Sequence, residues 1–219
     1  ARHATTEQRS TQSLVVAAAF AALALTVCVA LSLVMVRTVR RELGGEPADA
    51  TQAQLEATIA EMNADERVDA FIVQYPVPAG LNFEAAMLAM DPSKDADGLH
   101  PVNLGKLVMG ERAPLPCTPH GILKLLAAYG VELAGRHMVI VGRGLTIGRP
   151  LALLAALKRP DANAAVTVVH TGVGDLASYT RQADVIVAAA GAPGVITADM
   201  VRPGAAVVAA GVTMDGRRV

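Results

Sequence analysis

The chain has 219 residues, enough for one domain or two small ones. Its 20 acidic and 19 basic side chains leave a formal net charge of -1, which creates no field for a polyanion and excludes nucleic acid as the expected partner. The 53% hydrophobic and 3% aromatic content is driven by alanine and valine. The only cysteines, Cys28 and Cys117, do not make a disulfide framework and suit a reducing compartment.

Residues 1–12 read as a polar tail. From Leu14 to Val36 the only polar side chains are Thr26 and Ser32. At about 1.5 Å per residue such a helix reaches roughly 35 Å, more than a hydrocarbon core of about 30 Å, so 13–36 is expected to span a membrane. It is longer than the apolar region of a signal peptide, about 7–15 residues. Arg37, Arg40 and Arg41 after it favour a cytoplasmic location for the C-terminal part of the chain, anchored to the inner membrane. Residues 37–50 form a charged linker broken at Gly44-Gly45 and Pro47. Through Leu43-Gly44-Gly45-Glu46-Pro47 it resembles the entry of a bacterial chemoreceptor's last membrane helix into its HAMP linker.

Residues 51–63 predict an amphipathic helix with Thr51 as N-cap and Leu55, Ile59 and Met62 on one face. "DAFIVQYPVP" (69–78) predicts a short buried strand ended by prolines, and 83–90 a helix. "DPSKDADGLHPVNLG" (91–105) predicts a polar loop. A helix is expected to start at Thr118 with Pro119 in its first turn and to stop at Gly130. From Met138 strands at 138–142, 165–170, 184–190 and 205–211 alternate with helices at 147–158, 175–182 and 198–201. That rhythm predicts an α/β fold whose parallel sheet is covered on both faces.

Gly142, Gly144 and Gly148 lie between the first of these strands and its helix. The first permits a sharp turn, the second a close approach of backbone to a phosphate, the third packing of helix on strand, and the helix N-terminus offers free N–H groups to an anion. The G-x-G-x-x-x-G spacing is one residue longer than the usual fingerprint. A NAD site commonly ends its second strand with an acid on the ribose. Here it ends His170-Thr171, while Arg143 supplies a cation in the turn. NADP is therefore favoured over NAD, with a solvated surface arginine as the alternative for Arg143.

In order along the chain, "IVQYPVPAG", "DPSKDADGLHPVNLGKL", "PLPCTPHGILKLL", "VIVGRGLTIGRPLALL", "HTGVGDL", "QADVIVAAAGAPG" and "VRPGAAVVAAGV" resemble the bifunctional methylenetetrahydrofolate dehydrogenase/cyclohydrolase family. The resemblance covers residues 51–219. It implies a partial folate-binding catalytic domain over 51–137 and a truncated NADP-binding Rossmann domain over 138–219. It implies NADP-dependent oxidation of methylene-tetrahydrofolate, hydrolysis of the methenyl product to formyl-tetrahydrofolate, and a homodimer. Position by position, Gln74 and Asp97 match the catalytic and folate-binding positions. Gly142, Arg143, Gly144, Thr171 and Val212 match cofactor contacts. A carboxylate suits the paired N–H donors of an aminopterin edge, although Asp97 before Gly98 equally suits a turn. Asp95 reads as a loop cap, His100 as structural, Lys94 and Lys106 as solvated, and Cys117 as packing. No His/Cys cluster has metal spacing.

The chain departs from that family in several places. Its Tyr-x-x-x-Lys helix, the source of a catalytic lysine and a folate-packing tyrosine, has no counterpart, and the tyrosines are Tyr75, Tyr129 and Tyr179. The chain stops before the family's Pro-Gly-Gly-Val-Gly-Pro loop. Gly144 stands where serine is common and Ala209 where aspartate is common. Impaired hydrolysis is therefore expected. The other readings are a membrane receptor fragment with a ligand-sensing module and a non-catalytic cofactor-binding fragment of a composite gene.

Overall fold

The computed structural model describes residues 50–211. The expected membrane helix at 13–36, the linker up to residue 49 and Val212 lie outside the described residues. Among the described residues no helix is long and apolar enough to cross a membrane. They fall into two compact units, one of 50–57 with 76–82 and the other of 58–75 with 83–211.

Helix α1 (Gln52–Ala64) begins in the first unit and has its residues 58–64 in the second, and Thr51 opens it as expected. Its hydroxyl accepts from the Gln54 N–H at 3.3 Å, and the Gln54 side-chain oxygen accepts from the Thr51 N–H at 2.9 Å. This reciprocal pair caps the free amides of the first turn. The Gln52 side chain accepts from the Asn82 N–H at 2.8 Å and so fixes the 76–82 segment.

The second unit holds helices α2 (Phe83–Ala89), α3 (Pro101–Met109), α4 (Cys117–Ala128), α5 (Gly148–Ala156) and α6 (Leu176–Thr180). Its strands are β1 (His137–Val141), β2 (Ala165–Val169), β3 (Val185–Ala188) and β4 (Ala206–Ala209). They pair in parallel in the order β2-β1-β3-β4. The predicted α/β architecture is therefore present. On β1 the side chains alternate between two cores. Met138 and Ile140 join Leu123, Leu126, Leu151 and Leu154, while Val139 and Val141 join Val169, Ala183 and Ile186. From Met138 to Val141 and from Val185 to Val187 both faces are dry, which explains these unbroken apolar runs.

Three expectations need correction. The 69–78 stretch is not a strand: one parallel bridge joins Phe71 to Asp95, through the Phe71 N–H to the Lys94 carbonyl at 2.9 Å and the Ala96 N–H to the Phe71 carbonyl at 3.2 Å. A strand needs a continuing ladder, and no described segment extends this one. The polar loop expected over 91–105 instead holds a 3-10 turn at Pro92–Lys94 and the start of α3. His100 caps α3, its Nδ1 accepting from the Val102 N–H at 3.0 Å, and Pro101 takes the first helical position, where it has no amide to waste. Finally, Lys94 is not solvated: Nζ donates to the Met62 and Asp65 carbonyls at 2.9 and 2.8 Å, closing the C-terminal end of α1. The later helices keep their predicted places with shorter ends, and 198–201 is a 3-10 turn at Ala198–Met200.

Candidate functional site

The sheet order places β1 between β2 and β3, so the connections leaving β1 and β3 pass to opposite sides. That reversal opens a crevice at the carboxyl ends of the strands, the place where doubly wound folds bind ligands. The turn after β1 occupies it. The Gly142 N–H donates to the Val169 carbonyl at 2.8 Å, and the Ala189 N–H donates to the Val141 carbonyl at 2.8 Å, so the exits of β1, β2 and β3 meet at one edge.

The three glycines there have different physical reasons. Gly142 has φ +137, and a Cβ on it would sit 2.3 Å from the Ala189 carbonyl oxygen. A Cβ on Gly148 would sit 2.1 Å from the Gly142 carbonyl oxygen. These two positions are closed by backbone. A Cβ on Gly144 would meet nothing within 4 Å, so the space above it is open to a ligand. Arg143 is exposed in the turn and Thr171 is exposed just after β2. The structure thus brings Gly142, Arg143, Gly144 and Thr171 to one edge. Sequence reasoning passed over Arg149, on the first turn of α5, whose Nε donates to the Arg143 carbonyl at 3.0 Å and braces the turn. An apolar cleft of about 390 Å³, lined in part by Ala190, Pro193, Ile196, Thr197 and Val207, adjoins the ends of β3 and β4.

The second group of candidate residues lies on the segments joined by the Phe71–Asp95 bridge. From that bridge both segments run in the same direction, one to Gln74 and the other to Asp97. Gln74 is exposed, and its Nε2 donates to the Tyr75 carbonyl at 2.9 Å. The Tyr75 ring meets Phe83 edge-on with centroids 5.0 Å apart. Asp97 is half-buried, and burial holds its carboxyl above the usual carboxylate range, with the charge of Asp95 adding to the rise. Its carbonyl accepts from the Cys117 N–H at 3.2 Å, and the Cys117 thiol donates to the Ala96 carbonyl at 3.2 Å. Desolvation and the Asp97 and Asp95 charges push that thiol up, so it stays protonated as a donor. Gly98 has φ +67, and a Cβ on it would strike the Leu115 carbonyl carbon at 2.4 Å. The Asp97 loop therefore rests directly on the backbone that starts α4.

Asp95, read as a loop cap, is 2% exposed and does more than cap. Lys106 is half-buried on α3. Among the described residues no group of His, Cys, Asp or Glu side chains is arranged to hold a metal ion.

A four-stranded parallel sheet with a glycine turn at its reversal point defines a class, the dinucleotide-binding α/β domains. Comparison with known proteins narrows it. A model of the tetrahydrofolate dehydrogenase/cyclohydrolase NAD(P)-binding domain matches residues 116–218. The model of the catalytic domain of the same family matches residues 31–97. Over these residues the chain belongs to the tetrahydrofolate dehydrogenase/cyclohydrolase family. The catalytic-domain match takes in 37–50, so the receptor-linker reading of that stretch gives way, and it overlaps the last residues of the expected membrane helix.

Among curated relatives, the bifunctional protein FolD of Syntrophotalea carbinolica is 54% identical over 173 residues, covering 79% of this chain and 60% of the relative. Bifunctional protein FolD 1 of Salinispora tropica is 56% identical over 173 residues, covering 79% of this chain and 56% of the relative. The chain thus spans less than two thirds of the length of these relatives. Among solved structures, the Campylobacter jejuni FolD dehydrogenase/cyclohydrolase superposes with a TM-score of 0.70 at 36% identity, over 81% of this chain and 64% of that one. The Trypanosoma brucei enzyme, solved with NADP and an inhibitor, gives 0.71 at 39% identity, over 80% and 60%.

Proposed function

We propose that this chain binds NADP and a reduced folate and supports NADP-dependent oxidation of methylene-tetrahydrofolate to methenyl-tetrahydrofolate, with hydrolysis to formyl-tetrahydrofolate as the companion activity of its family. The observation that carries the reading is the contrast within the glycine turn: backbone closes Gly142 and Gly148 while the space above Gly144 stays open. A diphosphate needs such a surface, where amides reach it without an intervening side chain. The relatives and the NADP-bound trypanosomal structure support the same assignment.

The roles follow from chemistry at each position. The amides of the turn and the start of α5 would hold the diphosphate, and the exposed Arg143 guanidinium would pair with the ribose phosphate that distinguishes NADP from NAD. Thr171, exposed just after β2 on the same edge, would contact the ribose. Ionised Asp97 accepts the paired N–H donors of the pterin, and the Gln74 amide offers a donor and an acceptor to the folate ring system. Bound NADP supplies the hydride acceptor. Loss of hydride from the methylene carbon leaves a methenyl cation; water adds to that carbon with loss of a proton, and breakage of one of its two C–N bonds, with the hydroxyl proton lost and the leaving nitrogen protonated, gives the formyl product.

Two finer assignments belong to the same proposal. A homodimer is supported by the family and by edge strand β2, whose Val168 is exposed. Attachment to a membrane through 13–36 is supported by the apolar run alone.

Titration of the purified chain with NADPH, followed by fluorescence, tests the reading first. Saturable binding in the micromolar range is expected, and no response up to millimolar concentration refutes it. Absorbance at the reduced-nicotinamide band, on mixing methylene-tetrahydrofolate with NADP, tests the chemistry.

A further inference from the structure

We propose that Asp95 is a positioning residue for the Asp97 carboxylate, an inference that rests on the reading of Asp97 as the pterin contact. Asp95 is among the few buried charged or polar residues of the described chain, at 2% exposure. One of its oxygens, Oδ2, accepts from the His100 N–H at 2.8 Å and from Asn103 Nδ2 at 2.9 Å. Asn103, itself 1% exposed, also donates to the Pro92 carbonyl at 2.8 Å. A single buried carboxylate thus ties the start of α3 back across the loop that carries Asp97. Removing it leaves the buried His100 N–H without this acceptor and the Asn103 amide with only its bond to Pro92.

The same residue is fixed from outside. Its backbone forms the bridge with Phe71, on the segment that leads to Gln74. Next to it, Lys94 is pinned to the end of α1 by two carbonyls. Before that, the Asp91 N–H donates to the Asn63 side chain at 2.9 Å. On the far side, Gly98 lies against Leu115 and Pro116, and Cys117 bonds the carbonyls of Ala96 and Asp97. Asp97 therefore sits between two anchored points, and Asp95 is the one built from a buried charge. The hydrogen bonds of Asp95 fix where the backbone goes two residues later, and its charge adds to the rise that burial already gives the Asp97 carboxyl. The position of the Asp97 carboxylate is set from this node.

The test compares Asp95→Ala and Asp95→Asn in the full chain, in a Cys28→Ser background. Three quantities are read: affinity for 5-formyltetrahydrofolate, affinity for NADPH, and the alkylation rate of Cys117 by iodoacetamide without ligand. For Asp95→Ala the folate affinity is expected to fall at least tenfold and the Cys117 rate to change at least threefold, with NADPH affinity within twofold. Asparagine, with its oxygen in the place of Oδ2, is expected to restore the first two to within threefold. Should Asp95→Ala fail to fold, Asn103→Ala removes one of the two donors, and a folate loss of at least threefold is expected.

Unchanged folate affinity and unchanged Cys117 rate overturn the proposal. So does an equal loss of folate and NADPH affinity, which signals general destabilisation. If the unsubstituted chain binds no folate, the pterin reading of Asp97 fails separately. The Cys117 rate then decides the positioning: a changed rate upholds it and an unchanged rate ends it.

Discussion

The glycine turn at 142–148 and the loop around Asp97 present ligand surfaces made of different material. The turn is built from backbone: carbonyl oxygens of Ala189 and Gly142 lie where side chains would start, and its order comes from strands buried on both faces. The loop is built from side chains, with Asp95, Asn103, His100 and Lys94 each bonded to a specific partner. A backbone surface tolerates change wherever space is open and none where backbone closes it. A side-chain surface fails by degrees, one bond at a time. The two regions should therefore respond to substitution in different patterns.

The largest effect is expected from Gly142→Ala and Gly148→Ala. Each new methyl meets backbone oxygen at 2.3 or 2.1 Å, a distance that forces β1, α5 or the turn to move. A loss of about 3 kcal/mol is expected, as for overpacking that flexible side chains do not relieve. Urea unfolding with NADPH titration checks it: both stability and NADPH affinity should fall together. Wild-type behaviour of either variant would break the comparison at its root.

Next comes Asp97→Asn, whose effects on binding and stability have opposite signs. The neutral amide loses a charge-assisted pair, and an affinity loss of about thirtyfold for 5-formyltetrahydrofolate is expected, about 2 kcal/mol. Burial raises the Asp97 pKa in the folded state above its unfolded value. The fold is then favoured by this group below the ordinary carboxylate range, and that advantage is lost as pH rises through the raised pKa. The asparagine variant should therefore melt higher than wild type at pH 7 and converge with it as the pH falls to about 4 or below. A lower melting point at pH 7 would contradict the burial argument. In wild type, folate affinity should fall on acidification beginning above the usual carboxylate range.

Lys94→Met tests the loop by a smaller step. It keeps the aliphatic stem and removes two charged hydrogen bonds to the end of α1. About 1.5 kcal/mol of stability is expected to go, with NADPH affinity unchanged. A parallel loss of NADPH binding would mean that the two regions are not independent.

The same contrast explains what was legible in the sequence. The sheet was readable because β1 is apolar from Met138 on and β3 is apolar throughout, and Gly142 and Gly148 were readable because no other residue fits where backbone touches backbone. The loop was less readable. Asn103 and Gly105 inside α3 look like turn residues, and only the buried bonds of Asn103 to Asp95 and Pro92 offset its poor helix preference. His100 is an uncommon cap. Lys94 finds its carbonyl partners 32 and 29 residues back along the chain, a pairing no local pattern reveals. The 69–78 stretch has the composition of a strand but only one bridge to complete it. Here tertiary partners, rather than propensity, decide the structure.

The smallest expected effect sharpens the comparison most. A methyl group on Gly144 would meet nothing within 4 Å, and the φ of Gly144 is not in the left-handed region, so Gly144→Ser should change stability by no more than about 0.5 kcal/mol. The added hydroxyl lies at the ligand edge and can donate to a phosphate oxygen, a bond of about 1 kcal/mol, or about fivefold in NADPH affinity. A side chain would then have improved a surface otherwise made of backbone, because this one position is open. If serine weakens NADPH binding without destabilising the chain, the space above Gly144 is already filled by the ligand itself. The approach of the diphosphate is then closer than a hydroxyl allows, and glycine at this position belongs to the backbone surface as strictly as Gly142 and Gly148 do.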